Sequence, residues 1–217
     1  AVSANVSEHM SLPQKTNYVS DPEFTTANVA GNTLPTGTFQ PAGMGISRQL
    51  LEVGKLPDGR TYMNIRVFGT NISGSVWYPD LHFTATGGVP ATLGQAFSGQ
   101  VSAKIISNVD SSGFVSPLRY VALAEYNGGT YVASVGIGII TTTLQDFSGT
   151  RVVQNATTNN GRLYIDFSVK AGGTVDLTFQ VAAPQVEIGQ PSPYLVGSRT
   201  TYGITLTAAV AESITSS

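Results

Sequence analysis

The sequence has 217 residues, of which 11 are Lys or Arg and 13 are Asp or Glu, so its net charge is −2. Charged residues make up only 11% of the chain, less than half of the roughly 25% of an average soluble domain, which argues against a nucleic-acid binder with a basic surface. The 41% of hydrophobic residues suffices for one core, and the absence of Cys excludes disulfides, thiolate metal sites and Cys nucleophiles.

The first part of the chain carries little periodic pattern. Residues 1–16 are polar and do not alternate, which predicts an arm outside the core, and they lack the basic flank and apolar run of a signal peptide. From Thr25 to Gly45, Gly and Pro recur without a strand pattern. This predicts a long irregular segment, and segments of this kind often bind a partner. We place the folded domain at residues 17–197.

Period-two alternation dominates the rest of that domain and predicts strands with one face in a core and one in water. It is clearest in four segments: 62–67, 100–105, 162–169 and 175–181. The apolar run from Tyr131 to Ile140 is about half the length of a membrane helix, so we interpret it as a buried strand. No segment of three turns or more has helical periodicity.

Turn-forming residues separate the predicted strands: Leu56-Pro57-Asp58-Gly59, Asn127-Gly128-Gly129, Asn159-Asn160-Gly161 and Ala171-Gly172-Gly173. Gly and Asn tolerate the positive φ of tight turns, and Pro presets the second turn position. Strands recur every 8 to 12 residues or so in the second half, the spacing of an antiparallel sandwich. The sequence therefore predicts an all-β fold, an antiparallel β-sandwich of the jelly-roll type.

Residues 198–217 form a third zone. Apolar residues alternate from Ile204 to Val210, and the chain then ends in small polar residues. This zone is interpreted either as a C-terminal arm or as an added strand. The strand could belong to its own sandwich or be donated to the open edge of a neighbour.

Residues that could catalyse a reaction are sparse. His9 and His82 have no triad pattern around them, so both are interpreted as structural or surface histidines, and no motif for a cofactor or metal occurs. Asp166 and Asp176 would face each other across a hairpin if opposing residue numbers sum to 342, but not if they sum to 344. The second register is favoured because facing carboxylates repel. We therefore expect no catalytic residues, cofactor or metal, and no enzyme activity.

Aromatic residues are the remaining candidates for binding, because exposed rings can stack on sugars. The candidates are Trp77, Tyr78, Tyr126 and Tyr131. Trp77 and Tyr78 are neighbours on one strand, so they point to opposite faces and only one can be in the core. The favoured interpretation makes Trp77 the core aromatic and lets the tyrosines cap the edges, and glycan stacking is the alternative.

Several stretches carry a resemblance to a known family: NYV at 17–19, GNTLPTG at 31–37, LPDGRTYMNIRVFGT at 56–70, and GTVDLTFQVAAPQVEIGQ at 173–190 with SPY at 192–194. Together they are similar to a family of tailed-bacteriophage virion modules. The resemblance implies a fold like that of carbohydrate-binding jelly rolls, found in tail fibres, head fibres and capsid-surface proteins. Where Thr38 stands, the family commonly has Trp.

The resemblance implies a non-enzymatic structural protein on the virion surface, either a capsid decoration (cement) protein or a head-fibre subunit. Its partners would be other virion proteins and further copies of itself, with no nucleic acid and no membrane. The first alternative is a tail-fibre or receptor-binding module that recognises a host surface glycan. The second is a carbohydrate-binding module of a larger enzyme. The residues themselves do not distinguish these locations.

Overall fold

The computed structural model describes residues 16–38, 40, 42–84 and 87–194. Within these residues all regular structure is β-strand, and no helix there could span a membrane. The strands are β1 Ile46–Lys55, β2 Thr61–Thr70, β3 Leu81–His82, β4 Val89–Pro90, β5 Ala96–Asp110, β6 Tyr120–Asn127, β7 Thr130–Ile139, β8 Gln145–Val152, β9 Asn160–Ile165 and β10 Thr174–Ile188. The predicted all-β, antiparallel sandwich is confirmed.

The strands form two antiparallel sheets. The first has the order β1-β2-β10-β5-β8; the second has the order β3-β9-β6-β7, with β4 also paired to β9. The core lies between them and is continuous, with Phe97, Leu123, Leu163 and Phe179 among its fully buried side chains. Alternate residues of β2 are buried and half-buried, as a sheet with one face on a core requires.

Two of the predicted turns close hairpins. Gly59 takes φ of 89° and donates its N–H to the Leu56 carbonyl between β1 and β2, and Gly128 takes φ of 58° between β6 and β7. Asn159-Asn160-Gly161 is not a turn, because Asn160 and Gly161 pair with β6 as the first residues of β9. That prediction was wrong.

The predicted hairpin between the strands of Asp166 and Asp176 does not exist. β9 belongs to the second sheet and β10 to the first, so the segment around Gly172 crosses between sheets and neither proposed register applies. Gly172 donates its N–H to the Asn71 carbonyl during this crossing. Asp176 instead accepts two hydrogen bonds from Arg66, at 2.8 and 2.7 Å.

The apolar run from Tyr131 to Ile140 is not a buried strand. Most of it forms β7, which lies at the end of the second sheet and is exposed or half-buried along its whole length. A Cβ on Gly138 would lie 2.2 Å from the ring of Phe147, so a larger residue at this position would require that ring to move.

The irregular segment from Thr25 to Gly45 packs against the sandwich. The Asp21 carboxylate accepts hydrogen bonds from the backbone N–H groups of Thr25 and Thr26, and Leu34 is buried in the core. The predicted arms at 1–16 and 198–217 lie, apart from Thr16, outside the described residues, as does His9.

Candidate functional site

A cleft of about 560 Å³ opens on the outer face of the second sheet, away from the core. It is lined by aromatic, charged and small residues: Tyr78, Asp80, His82, Tyr126, Gly129, Tyr131, Ser134, Arg162, Tyr164 and Asp166. This volume is in the ~300–1,000 Å³ range of typical ligand sites, and aromatic side chains combined with a few polar and charged groups are typical of their linings.

Small side chains create the hollow. On the cleft side of β6 lie Ala122 and Ala124, which belong to a small apolar cluster separate from the main core. Their partners across the sheet on β7 are Gly136 and Ser134. Directly paired residues share a face, so four small residues leave a trough between taller walls.

Aromatic rings form the walls and floor of this trough. Tyr164 on β9 and His82 on β3 are cross-strand partners, and their rings stack with centroids 5.4 Å apart. The ring of Tyr126 meets that of Tyr131 edge to face at 5.9 Å across the β6–β7 hairpin. Tyr126 and Tyr164 are almost fully buried, whereas Tyr78 and Tyr131 are 59% and 54% exposed. The floor is therefore rigid and the rim is open to solvent.

A buried cation closes one end of the cleft. The guanidinium of Arg162 lies over the ring of Tyr126, 4.0 Å from its centroid, and donates a hydrogen bond to the Gly128 carbonyl at 2.8 Å. A second bond, from Nε, reaches the Asn160 side chain at 3.2 Å. Burial lowers the pKa of Arg162. This guanidinium braces the floor by a cation–π contact.

Two carboxyl groups, of Asp80 and Asp166, lie at the other end. Asp80 is only 8% exposed, and its Oδ1 accepts a hydrogen bond from the Phe167 N–H at 2.9 Å. Burial, with a smaller contribution from the charge of Asp166, raises the pKa of Asp80 to about 7. Asp166 accepts two bonds from Ser168, one from its N–H and one from its hydroxyl.

His82 is neutral in the folded protein at physiological pH. Burial, and secondarily the charge of Arg162, lowers its pKa to about 3. Its ring is packed between the aromatic side chains of β6 and β9. A neutral ring in this position serves as a flat apolar surface.

Three of the four aromatic candidates from the sequence meet in this cleft: Tyr78, Tyr126 and Tyr131. Trp77 does not. It forms an antiparallel bridge with Val169 and packs, partly buried, against the main core. The favoured sequence interpretation made Trp77 the core aromatic, but it lies at the margin of the core, whose fully buried aromatic residues are phenylalanines. Whether the tyrosines bind a glycan stays a prediction.

Seven further residues line the cleft that the sequence did not mark as binding residues: Asp80, His82, Gly129, Ser134, Arg162, Tyr164 and Asp166. Arg162 and Tyr164 were assigned to a water-exposed face, but they are only 4% and 5% exposed. The alternation of β9 gave no signal of this burial, because Arg is mostly exposed and Tyr intermediate in burial in folded proteins. No group of three or more potential metal ligands occurs in the described part of the chain.

Comparison with known proteins identifies the fold. No family model and no curated protein matches the sequence. The structure is similar to the arabinose-bound MgGH51 α-L-arabinofuranosidase, with a TM-score of 0.54 and 11% identity over 81% of this chain and 27% of that enzyme. The chain therefore spans about a quarter of the enzyme's length.

Two further similar structures come from different settings. The CBM22-1 xylan-binding domain of Paenibacillus barcinonensis Xyn10C gives a TM-score of 0.41, with 10% identity, over 82% of this chain and 94% of that domain. The enzymatically active domain of tailspike protein 4 from bacteriophage CBA120 gives a TM-score of 0.39, with 12% identity, over 80% of this chain and 21% of that chain. At 11% identity the similarity to the arabinofuranosidase concerns the fold alone.

Proposed function

We propose that this chain is a non-catalytic glycan-binding domain and that its ligand lies in the cleft of the second sheet. The observation that carries this proposal is the convergence of four tyrosines, two carboxyl groups and a buried Arg on one hollow of about 560 Å³. The fold class is consistent with the proposal but does not establish it, because one fold serves many functions.

The chemistry of the lining suits a sugar. The rings of Tyr78 and Tyr131 are exposed at the rim and offer apolar faces to the C–H groups of a pyranose, and tyrosine hydroxyls add polar contacts at their edges. The packed rings of Tyr126 and Tyr164 form the floor beneath them. A carboxyl oxygen of Asp80 on the cleft side can accept a bond from a sugar hydroxyl. Because the floor rings and Asp80 are already held in place by packing, binding requires little ordering of these side chains.

Single substitutions of the rim and floor rings test the site. Tyr131→Ala and Tyr126→Ala should each weaken glycan binding about tenfold or more, which corresponds to about 1.4 kcal/mol or more. Tyr62→Ala is the matched control, since Tyr62 lies in the first sheet, bonded to Glu52. A glycan array followed by calorimetry on the bound glycan measures the effect. Unchanged affinity in both cleft variants would refute the proposal.

The non-catalytic part has its own test. Two carboxyl groups in a sugar-binding cleft could hydrolyse a glycoside if one were an acid and the other a nucleophile or base. We expect no new reducing ends when the bound glycan is incubated with the protein for days. Product formation that disappears in both Asp80→Asn and Asp166→Asn would instead identify a hydrolase.

A second proposal concerns assembly and rests on the edge of β7. Residues 130–139 contain no charged side chain, Tyr131, Val135 and Ile139 are exposed, and within the described residues no strand pairs with the outer edge. The unpaired backbone N–H and C=O groups of such an edge can form hydrogen bonds with another strand. We propose that it pairs with a second copy of this chain.

Sedimentation measures this assembly. Val135→Lys should convert an oligomer to a monomer, while Val109→Lys, at an exposed position of β5, should leave it unchanged. A wild-type chain that is monomeric at about 100 µM would contradict the proposal.

A place on a virion surface remains a proposal based on the sequence resemblance. If residues 198–217 hold the protein to other virion subunits, a chain ending at residue 197 should still bind glycan but should not load onto particles. Full loading of the truncated chain would contradict this role.

A further inference from the structure

The charges of the cleft are separated along β9. Arg162, Tyr164 and Asp166 alternate with core residues, so all three face the cleft. With a rise of about 3.3 Å per residue, positions four apart along a strand are about 13 Å apart. The buried cation therefore lies at one end and Asp166 at the other, with an aromatic ring between them.

The register of the sheet brings a second carboxyl group to the acidic end. Leu81 pairs with Ile165 in antiparallel fashion, which places the preceding Asp80 beside the residue that follows β9. Oδ1 of Asp80 is bonded to the Phe167 N–H, and its charge interacts with that of Asp166. No ion pair within the described part of the chain involves either carboxyl group.

We propose that the glycan bound here carries a positively charged amino group, and that this group binds between Asp80 and Asp166 against the tyrosine rings. This inference rests on the proposed glycan-binding function and narrows its ligand to an amino sugar with an unacetylated or quaternary nitrogen. An acidic or neutral sugar would leave the Asp80 carboxyl group without a positive partner, whereas Asp166 already interacts electrostatically with the guanidinium of Arg119.

Three features favour a cation over a neutral hydroxyl. Hydrogen bonds between an ammonium and a carboxylate are shorter and about twice as strong as neutral ones. Tyrosine faces attract cations, and two of the four tyrosines of the cleft, Tyr78 and Tyr131, are more than half exposed. The backbone positions of Arg162 and Asp166 are about 13 Å apart along the strand, and the Arg162 guanidinium group donates hydrogen bonds to the Gly128 carbonyl and the Asn160 side chain.

The proposal also predicts a proton linkage. The pKa of Asp80 is about 7 because burial is not offset by any nearby cation. A bound ammonium would supply that cation, lower the pKa and release a proton. The groups that face Asp80 from the packed elements are Asp166, His82, Tyr126, Tyr164 and, farther along β9, Arg162. His82 and the tyrosines are neutral near pH 7.

Three β-1,4-linked hexasaccharides with one backbone provide the test: glucosamine, N-acetylglucosamine and N-trimethylglucosamine hexamers. Calorimetry at pH 8 and pH 6 should show the trimethylated probe bound at least tenfold more tightly than the acetylated one at pH 8. Its affinity should fall about tenfold at pH 6, because Asp80 with a pKa of about 7 is then mostly protonated.

Variants separate the contribution of the carboxyl groups from the general fit of the sugar. Asp80→Asn should remove both the preference for the charged hexamer and its pH dependence, and Asp166→Asn should reduce the preference. Glu52→Gln, a carboxyl change in the first sheet, is the control. Circular dichroism checks that each variant is folded. If Asp80→Asn is unfolded, the effect of Asp166→Asn on the preference for the charged hexamer decides the test.

The outcomes distinguish this inference from the proposed function. A neutral glycan bound through the tyrosines, with no gain from a charged nitrogen, overturns the amino-sugar inference and leaves the glycan-binding proposal intact. Failure of every glycan on the array and of all three hexamers overturns both. A charged hexamer bound equally well by Asp80→Asn and Asp166→Asn also overturns the inference.

Discussion

Replacing Asp80 by Asn should change how the stability of the protein depends on pH. In the folded protein burial raises the pKa of Asp80 from 3.8 to about 7. Between about pH 4 and pH 7 the folded state therefore holds a proton that the unfolded state has lost. Stability from this group is present at low pH and falls as pH rises, by about 1.4 kcal/mol per unit across that window.

His82 acts in the opposite direction. Its pKa falls from 6.5 to about 3 on folding, mainly through burial. Between about pH 3 and 6.5 the unfolded state binds a proton that the folded state does not. Stability from His82 is therefore present above pH 6.5 and is lost as pH falls, again by about 1.4 kcal/mol per unit.

The two slopes cancel between about pH 4 and 6.5, so the contribution of this pair to the wild-type profile should be flat there. Asp80→Asn removes one slope and exposes the other. The variant should lose about 2 kcal/mol of unfolding free energy, relative to wild type, between pH 6 and pH 4.5. His82→Phe should show the reverse: as pH rises from about 4.5 to 6, it should lose about 2 kcal/mol of unfolding free energy relative to wild type.

Urea unfolding at half-unit pH steps, followed by circular dichroism, measures these differences. Glu52→Gln, whose carboxyl group lies in the first sheet and bonds Tyr62 and Asn64, is the control and should track the wild type. Parallel profiles for wild type and both cleft variants would show that Asp80 and His82 do not titrate as buried groups, and the reasoning would fail.

Other predictions concern the framework of the cleft. Glu125→Ala should cost about 3–5 kcal/mol in urea unfolding, because it leaves Arg151 without its buried ion pair and several donors unbonded; a loss below 1 kcal/mol would contradict this. Gly161→Ala should destabilise by about 1–3 kcal/mol, since the new Cβ would lie 2.7 Å from the ring of Phe97. Gly74→Ala, where nothing lies within 4 Å but φ is 75°, separates this clash from backbone strain alone.

Local sequence patterns predicted the strands and two of the turns well. Period-two alternation and the residues of a tight turn act within a few positions, so β2, β10 and the turn at Gly59 follow from the sequence alone. Which sheet a strand joins is not a local property. Asp166 and Asp176 are close in sequence, yet the strands beside them lie in different sheets because the intervening segment passes from one sheet to the other.

The cleft could be predicted only in part for the same reason. The tyrosines were visible as residues with binding chemistry. The hollow between them comes from Ala122 facing Gly136 and Ala124 facing Ser134, pairings that a single sequence does not reveal. The acidic end depends on the pairing of Leu81 with Ile165, across more than 80 residues.

The floor of the cleft is buried and its rim is exposed, so substitutions in the two parts should affect stability and ligand specificity differently. Arg162 and Tyr164 lie on β9, whose opposite face carries the core residues Leu163 and Ile165, so changes to the floor disturb a strand that is covered on both sides. Tyr78 and Tyr131 contact the same cleft but are more than half exposed, so their replacement costs little packing. Ligand preference can thus be altered at the rim at little cost in stability, whereas substitution of the buried floor residues or of Asp80 also changes the stability of the fold.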